Sequence, residues 1–369
     1  DTTFSNTLEG NVLIQIKTNA TLESSAEYSD PYWLKHAHSQ GIFKVGDKAT
    51  IGLPENPPAV DFVFNLALGN DKLSIRRPLI YKWVDPVKGE LWRPVEIVPP
   101  VFVNPSEKVI LFNTLQPREV SVVVKSSVDR PLNGTLKLNL PQGWRSEPAS
   151  HDFALKKREE EQWKSFLVYP STTEYSGELI AEAQIGGKNY SKALQLISYD
   201  HIPTQTLLPA SAIKVARIEL KKEGNVIGYI KGAGDDIPAG LRNMGYEVWE
   251  MKNDEVTASN LKRVDAVVVG IRALNTNNRI GYFMDELLDY VKNGGTMVVQ
   301  YNTNFDFETQ KFSPFPLKLS RDRVTQEDSE VRILKPEHEV LNTPNKITQK
   351  DFEGWVQERG LYFPNQWDP

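Results

Sequence analysis

The chain has 369 residues, a formal net charge of -5 and no cysteine. That length implies two or three domains. The acidic balance argues against nucleic-acid binding, which needs a basic footprint, and the lack of cysteine excludes disulfides, thiolate zinc sites and a cysteine nucleophile. Hydrophobic residues make up 40% and charged residues 25%, as in ordinary globular protein. No apolar run approaches the ~20 residues of a membrane span. The chain starts at Asp1 without a signal peptide, so it reads as a processed product or a piece of a longer protein.

From Asn11 to about Pro100 the pattern is β. "NVLIQIKT" alternates apolar and polar residues, and "ATIGLP", "AVDFVFNLALG" and "RPLIYKWV" follow between turn residues. A second β block follows to about Tyr199: "EKVILFN", "REVSVVVKSS", "GTLKLNL", "HDFAL", "EQWKSFLVYP", "GELIAEAQIG" and "KALQLISY". That strand spacing suits an immunoglobulin-like sandwich. After "HIPTQTLLPAS" the pattern changes to alternating β and α. "NVIGYI", "YEVWEM", "DAVVVGI" and "TMVVQY" read as strands. Ile237, Leu241 and Met244 share one helical face, and Ile280, Phe283, Met284, Leu287, Leu288 and Val291 make a second stripe that stops at Asn293-Gly294. Near-continuous apolar strands of this kind build a parallel sheet covered on both faces. The expected fold is therefore β plus α/β: a β-sandwich over 1–100, an Ig-like sandwich over 101–205, and a flavodoxin-like parallel-sheet α/β domain over 212–369.

"YIKGAGDDIPAGLRNMGYEV" holds the densest set of candidate site residues. Gly232 and Gly234 fit a dinucleotide fingerprint, but the third glycine position is Ile237, and two carboxylates would repel a pyrophosphate. The simpler reading is a strand-to-helix turn in which Asp236 caps a helix and Pro238 occupies its first turn. Ligands of open α/β sheets bind at the carboxyl ends of the strands. Asp235, Asp236, Arg272, Asn275, Asn302 and Asn304 would meet there, suited to a neutral polar ligand such as a sugar; the asparagines alternatively only make turns. His36 and His38 could share a face but lack a third ligand. His338 is a lone loop histidine, and no G-x-S-x-G elbow accompanies it. "KKREEEQWK" reads as a solvated turn and edge strand. Tyr32, Trp33, Tyr81, Trp83 and Trp92 read as sandwich core, with a sugar platform as the alternative.

Several longer segments carry a family resemblance: "PYWL", "IGLPENPP", "RPLIYKWVDPVKGELWRPVEIVPPV", "GAGDDIPAGLRNMGYEV", "DAVVVGIRALNTN", "LLDYVKNGGTMVVQYNTN", "LKLSRDRVTQEDSEVRIL" and "NTPNKITQKDFEGWVQERGLYFP". They resemble the region downstream of the catalytic domain in large bacterial PIG-L (LmbE-like) deacetylases. Within it, residues 101–199 resemble the Ig-like domain associated with α-galactosidases, and residues 215–369 a ThuA-like or class I glutamine-amidotransferase-like domain. The resemblance implies a zinc-dependent upstream domain acting on N-acetylglucosamine-type groups, in a secreted or periplasmic protein. It implies no zinc here, because "GAGDDI" lacks the histidine that precedes the family's aspartates. Amidotransferase chemistry is excluded for want of a cysteine after "TMVVQY". The family continues past "QWDP" with closing strands and a helix, which implies truncation. The implied partners are the upstream catalytic domain and, as a candidate ligand, glycan. An independent carbohydrate-active enzyme using Asp235, Asp236 and Arg272, and a spacer without ligand, are the competing classes.

Overall fold

The computed structural model describes residues 10–19, 21–23, 25–39, 41–326, 328–354 and 360–367. Residues 1–9 and 368–369 of the outer domains, and 355–359 within the last resembling segment, lie outside the described residues. The chain divides into two units. One comprises Asp1–Pro100 with Leu194–Pro209; the other comprises Val101–Ala193 with Ala210–Pro369.

Among its described residues, the first unit does not show the sandwich expected of residues 1–100. Its described strands form separate antiparallel hairpins: β1 (Asp61–Leu68) with β2 (Asp71–Pro78), and β3 (Ile80–Asp85) with β4 (Gly89–Pro94). "NVLIQIKT" is irregular, and its Leu13 is 95% exposed. An alternating pattern makes a strand only when another element covers its apolar face, and nothing described covers this one. "ATIGLP" instead opens with a short 3-10 helix, Lys48–Thr50, capped by the Asp47 carboxylate. The aromatics expected in a core are also displaced. Tyr81 and Trp92 are 62% and 58% exposed, and the Tyr81 and Trp83 rings stack side by side at 5.7 Å on the surface of β3.

The second unit begins with a two-sheet sandwich. Its strands are β5 (Val101–Pro105), β6 (Val109–Phe112), β7 (Arg118–Ser126), β8 (Leu132–Asn139), β9 (Arg145–Glu147), β10 (Ser150–Leu155), β11 (Glu161–Tyr169), β12 (Tyr175–Ile185) and β13 (Lys188–Tyr190). The next two strands, β14 (Gln195–Tyr199) and β15 (Ile202–Leu207), pair only with each other and belong to the first unit. "KALQLISY" is therefore not a sandwich strand. The sandwich is completed instead by β16 (Ala212–Arg217), which lies within the span 212–369 expected to be α/β. The sheets run β10-β8-β12-β16-β6 and β5-β7-β11-β9. Alternating inward residues fill the space between them, among them Val120, Val122 and Val124 of β7 against Leu179, Ala181 and Ala183 of β12.

The α/β region follows the expected alternation. Its elements are β17 (Val226–Ile230), α1 (Ile237–Asn243), β18 (Glu247–Met251), α2 (Ala258–Leu261), β19 (Ala266–Val269), α3 (Ala273–Thr276), α4 (Met284–Lys292) and β20 (Thr296–Val299). The strands are parallel in the order β18-β17-β19-β20, the order in which a flavodoxin-like sheet begins. Ile230, Val267 and Val269 pack against Phe283, Met284 and Leu287, while Ile227, Tyr229 and Val268 pack towards Leu241 on the other face. Gly294, at φ 92°, ends α4 as its sequence signal requires. Cover is incomplete at the edge: Val298 and Val299 of β20 are 51% and 39% exposed. Two small antiparallel pairs close the chain, β21 (Leu317–Leu319) with β24 (Pro364–Trp367), and β22 (Arg323–Val324) with β23 (Gly360–Leu361).

Candidate functional site

The order β18-β17-β19 places the switch point of the sheet between β17 and β19, where the chain turns to opposite sides. The loops after β17, β19 and β20 meet there, as the sequence reading requires. They meet very closely. A Cβ built on Gly232 would stand 2.1 Å from Ile271 O, so only glycine lets the first loop lie against the second. Ala233 N–H donates to that same carbonyl at 2.8 Å.

Asp235 holds the three loops together. Its carboxylate accepts from four groups: the Tyr229 hydroxyl at 2.8 Å, Ile237 N–H at 3.0 Å, Ile271 N–H at 3.2 Å and Gln300 Nε2 at 3.4 Å. A carboxylate offers about four lone-pair sites, so little acceptor capacity is left for a substrate. Burial, then the bond to Asp235, pushes the Tyr229 phenol far above its ordinary range, which keeps it a protonated donor. The sequence pattern predicts helix capping by Asp236. The structure gives that bond to Asp235 instead, through Ile237 N–H. Asp236 occupies the N-cap position, but its side chain makes no capping bond and is exposed. Its backbone there is not in the extended conformation typical of a capping residue.

The other candidates divide into two groups. Asn302 is buried, accepts from Leu274 N–H at 3.0 Å and donates to Gln300 O at 2.7 Å. Asn275 accepts from Thr303 N–H at 2.9 Å and donates to Phe305 O at 2.9 Å. Both act as loop ties, the turn-making alternative of the sequence reading. Arg272 and Asn304 differ. Arg272 adopts a left-handed backbone at φ 56°, held by donation from its N–H to Tyr301 O at 2.8 Å. Such strain in a non-glycine residue concentrates at functional positions. Arg272 Nε and Asn304 Oδ1 are buried without a hydrogen-bond partner. The Tyr301 ring stacks with Tyr362 at 5.9 Å, and Phe305 meets Tyr362 edge-on at 6.3 Å.

Sequence reasoning missed Tyr229 and Gln300. The one available signal was a tyrosine inside the otherwise aliphatic strand "NVIGYI". Elsewhere, His338 Nδ1 accepts from Val340 N–H at 3.2 Å and caps a short 3-10 helix, while His38 Nδ1 lies 3.2 Å from Ser39 O. Among the described residues, no three His, Asp or Glu side chains converge to hold a metal ion, and no helix is long and apolar enough to cross a membrane. An open cleft of about 910 Å³ lies apart from the switch point, bounded by Gln310–Lys318 and by Asn365 and Gln366 of β24.

No protein-family model matches the chain, and no curated protein does. Similar solved structures are partial matches. Escherichia coli alpha-2-macroglobulin matches 39% of this chain at 11% identity and a TM-score of 0.22, and this chain spans 9% of its length. SSP-19, an MSP-domain protein of Caenorhabditis elegans, matches 31% of this chain and 97% of its own at 5% identity and a TM-score of 0.19. The Salmonella enterica SafA pilin–SafB chaperone complex matches 33% of this chain and 57% of the matched chain, at 10% identity and a TM-score of 0.19.

Proposed function

We propose that this chain is a non-catalytic accessory region of a secreted or periplasmic bacterial PIG-L family deacetylase acting on N-acetylglucosamine-type groups. Its role is to present the catalytic domain, whose zinc lies upstream, with glycan as a candidate ligand of the α/β region. One observation carries the non-catalytic part. Asp235, the best-placed acid at the switch point, spends its carboxylate on four donors of its own chain. A general base must reach the proton it abstracts, and this one is occupied in holding loops together. The glycan part is supported by Arg272 Nε and Asn304 Oδ1, one donor and one acceptor without partners. A hydroxyl group both donates and accepts, so sugar hydroxyls match either kind of group.

The test is to assay the purified chain for deacetylase and glycosidase turnover, and to probe it on a glycan array. No turnover and glycan signal weakened by Arg272→Ala or Asn304→Ala are expected. Turnover that Asp235→Asn abolishes while the fold persists would establish the competing reading, an enzyme in its own right.

A further inference from the structure

The sandwich holds a second pair of buried groups without partners, outside the switch-point loops: Arg217 Nε and Trp144 Nε1. Arg217 is 5% exposed and Trp144 7%. Both lie at one end of the same core. Arg217 is the last residue of β16, and register sets it opposite Tyr175 of β12 on one side and Phe112 of β6 on the other. Ile213 and Val215 of β16 are core residues, so strand alternation turns Arg217 inward as well. The Trp144 ring packs edge-on against Phe112 at 4.9 Å and against Tyr175 at 5.8 Å. The two orphaned N–H groups thus border the same pair of rings.

The charge matters more than the missing bonds. A guanidinium stays protonated in proteins, and a buried charge without a counter-charge is strongly unfavourable. Arg217 Nη1 donates to the Ile218 carbonyl, which is neutral, and Arg217 makes no ion pair among the described residues. Glu174, just before Tyr175, is engaged elsewhere: it accepts from Glu219 N–H at 2.9 Å. What remains is a positive charge without a carboxylate partner and two donors, Arg217 Nε and Trp144 Nε1, without an acceptor. A water would satisfy the N–H groups but leave the charge in place.

We propose that Arg217 and Trp144 form a buried site for a chloride-sized monovalent anion. The ion neutralises the guanidinium and fastens the end of β16, from which Ile218 N–H donates to Phe112 O at 3.1 Å before the chain enters the α/β region. This site is independent of the proposed accessory role.

The test uses the full chain. Crystals soaked in bromide should show an anomalous peak within hydrogen-bond reach of both Arg217 Nε and Trp144 Nε1. In solution, chloride or bromide should raise Tm saturably, by roughly 2–4 °C, over gluconate at equal ionic strength. Arg217→Met, which keeps the volume and removes the charge, should abolish that dependence. Should Arg217→Met fail to fold, Trp144→Phe should reduce the dependence. A water in place of the bromide peak, or the same halide dependence in the folded variants, would overturn the proposal.

Discussion

At the scale of single residues, Asp235 and Asp236 are neighbours with opposite roles. Replacing Asp235 with alanine strands the buried Tyr229 hydroxyl and frees the N–H groups of Ile237 and Ile271. Bonds to a charged acceptor contribute more than neutral ones, so the expected loss is about 2–4 kcal/mol. Asp236→Ala changes an exposed side chain that makes no capping bond, and should stay within ~0.5 kcal/mol. Urea unfolding of the two variants measures both, and a reversed order would return the structural role to Asp236. Asp265 allows a pH experiment. Its carboxylate accepts from Asn225 N–H at 2.7 Å and Val226 N–H at 2.9 Å, at the entrance to β17. These bonds hold its pKa below the ordinary value of 3.8. The unfolded chain therefore takes up the proton first, and the contribution, present above pH 3.8, is lost as the pH falls through the lower folded value. Asp265→Asn should flatten the acid limb of the urea midpoint against pH and leave no pH-dependent difference near neutrality.

At the scale of elements, Gly232 and the end of α1 decide how the α/β region is assembled. A methyl group at position 232 would meet Ile271 O at 2.1 Å and Ala273 N at 2.8 Å. Both are backbone atoms, so the loops must part. Gly232→Ala should cost about 1–3 kcal/mol and raise hydrogen exchange at Ala233 and Arg272, whose N–H groups bond across these loops. Unchanged exchange at both amides would show that the loops accommodate the methyl. The far end of α1 is tied to the sandwich: Asn113 Nδ2 donates to Met244 O at 2.8 Å, and Arg118 Nη1 to Asn243 Oδ1 at 2.7 Å. Much of this region was legible in the sequence. Continuous apolar runs such as "DAVVVGI" state that both faces of a strand are covered, whatever covers them. The choice between Asp235 and Asp236 was not legible, because it depends on where Ile271 and Gln300 arrive from 36 and 65 residues away. The failure at "NVLIQIKT" has a related cause. Alternation describes what a strand would bury, and only a partner surface turns it into one. β14 pairs locally with β15, whereas β16, a few residues further on, pairs with the distant β6 and β12, and that long-range pairing places it in the sandwich.

At the scale of the whole molecule, the first unit is discontinuous. Residues 194–209 join residues 1–100 through Leu208 N–H to Asp30 Oδ1 at 2.8 Å, Arg93 to Thr206 at 3.1 Å and Thr206 to Glu96 at 2.9 Å. The second unit closes neatly around the excursion, because Lys192 and Ala210 are bridged as antiparallel neighbours and Ser211 N–H donates to Ser191 O at 2.9 Å. A variant of residues 101–369 in which a short turn replaces 194–209 should therefore fold and keep the second unit's cooperative melt, as calorimetry would show. Loss of that transition would mean the excursion is structurally required.

That excursion also sets an order on synthesis. A ribosome delivers residues from the amino end at about 5–20 per second. The first hundred residues must then wait for another hundred before their last hairpin, β14–β15, exists. During that interval Trp92 and its neighbours lack the segment that Arg93 and Glu96 bind. The nascent amino-terminal unit is thus held incomplete for several seconds while the sandwich is being made. Slowed translation across this interval is therefore expected to change yield without changing the finished protein.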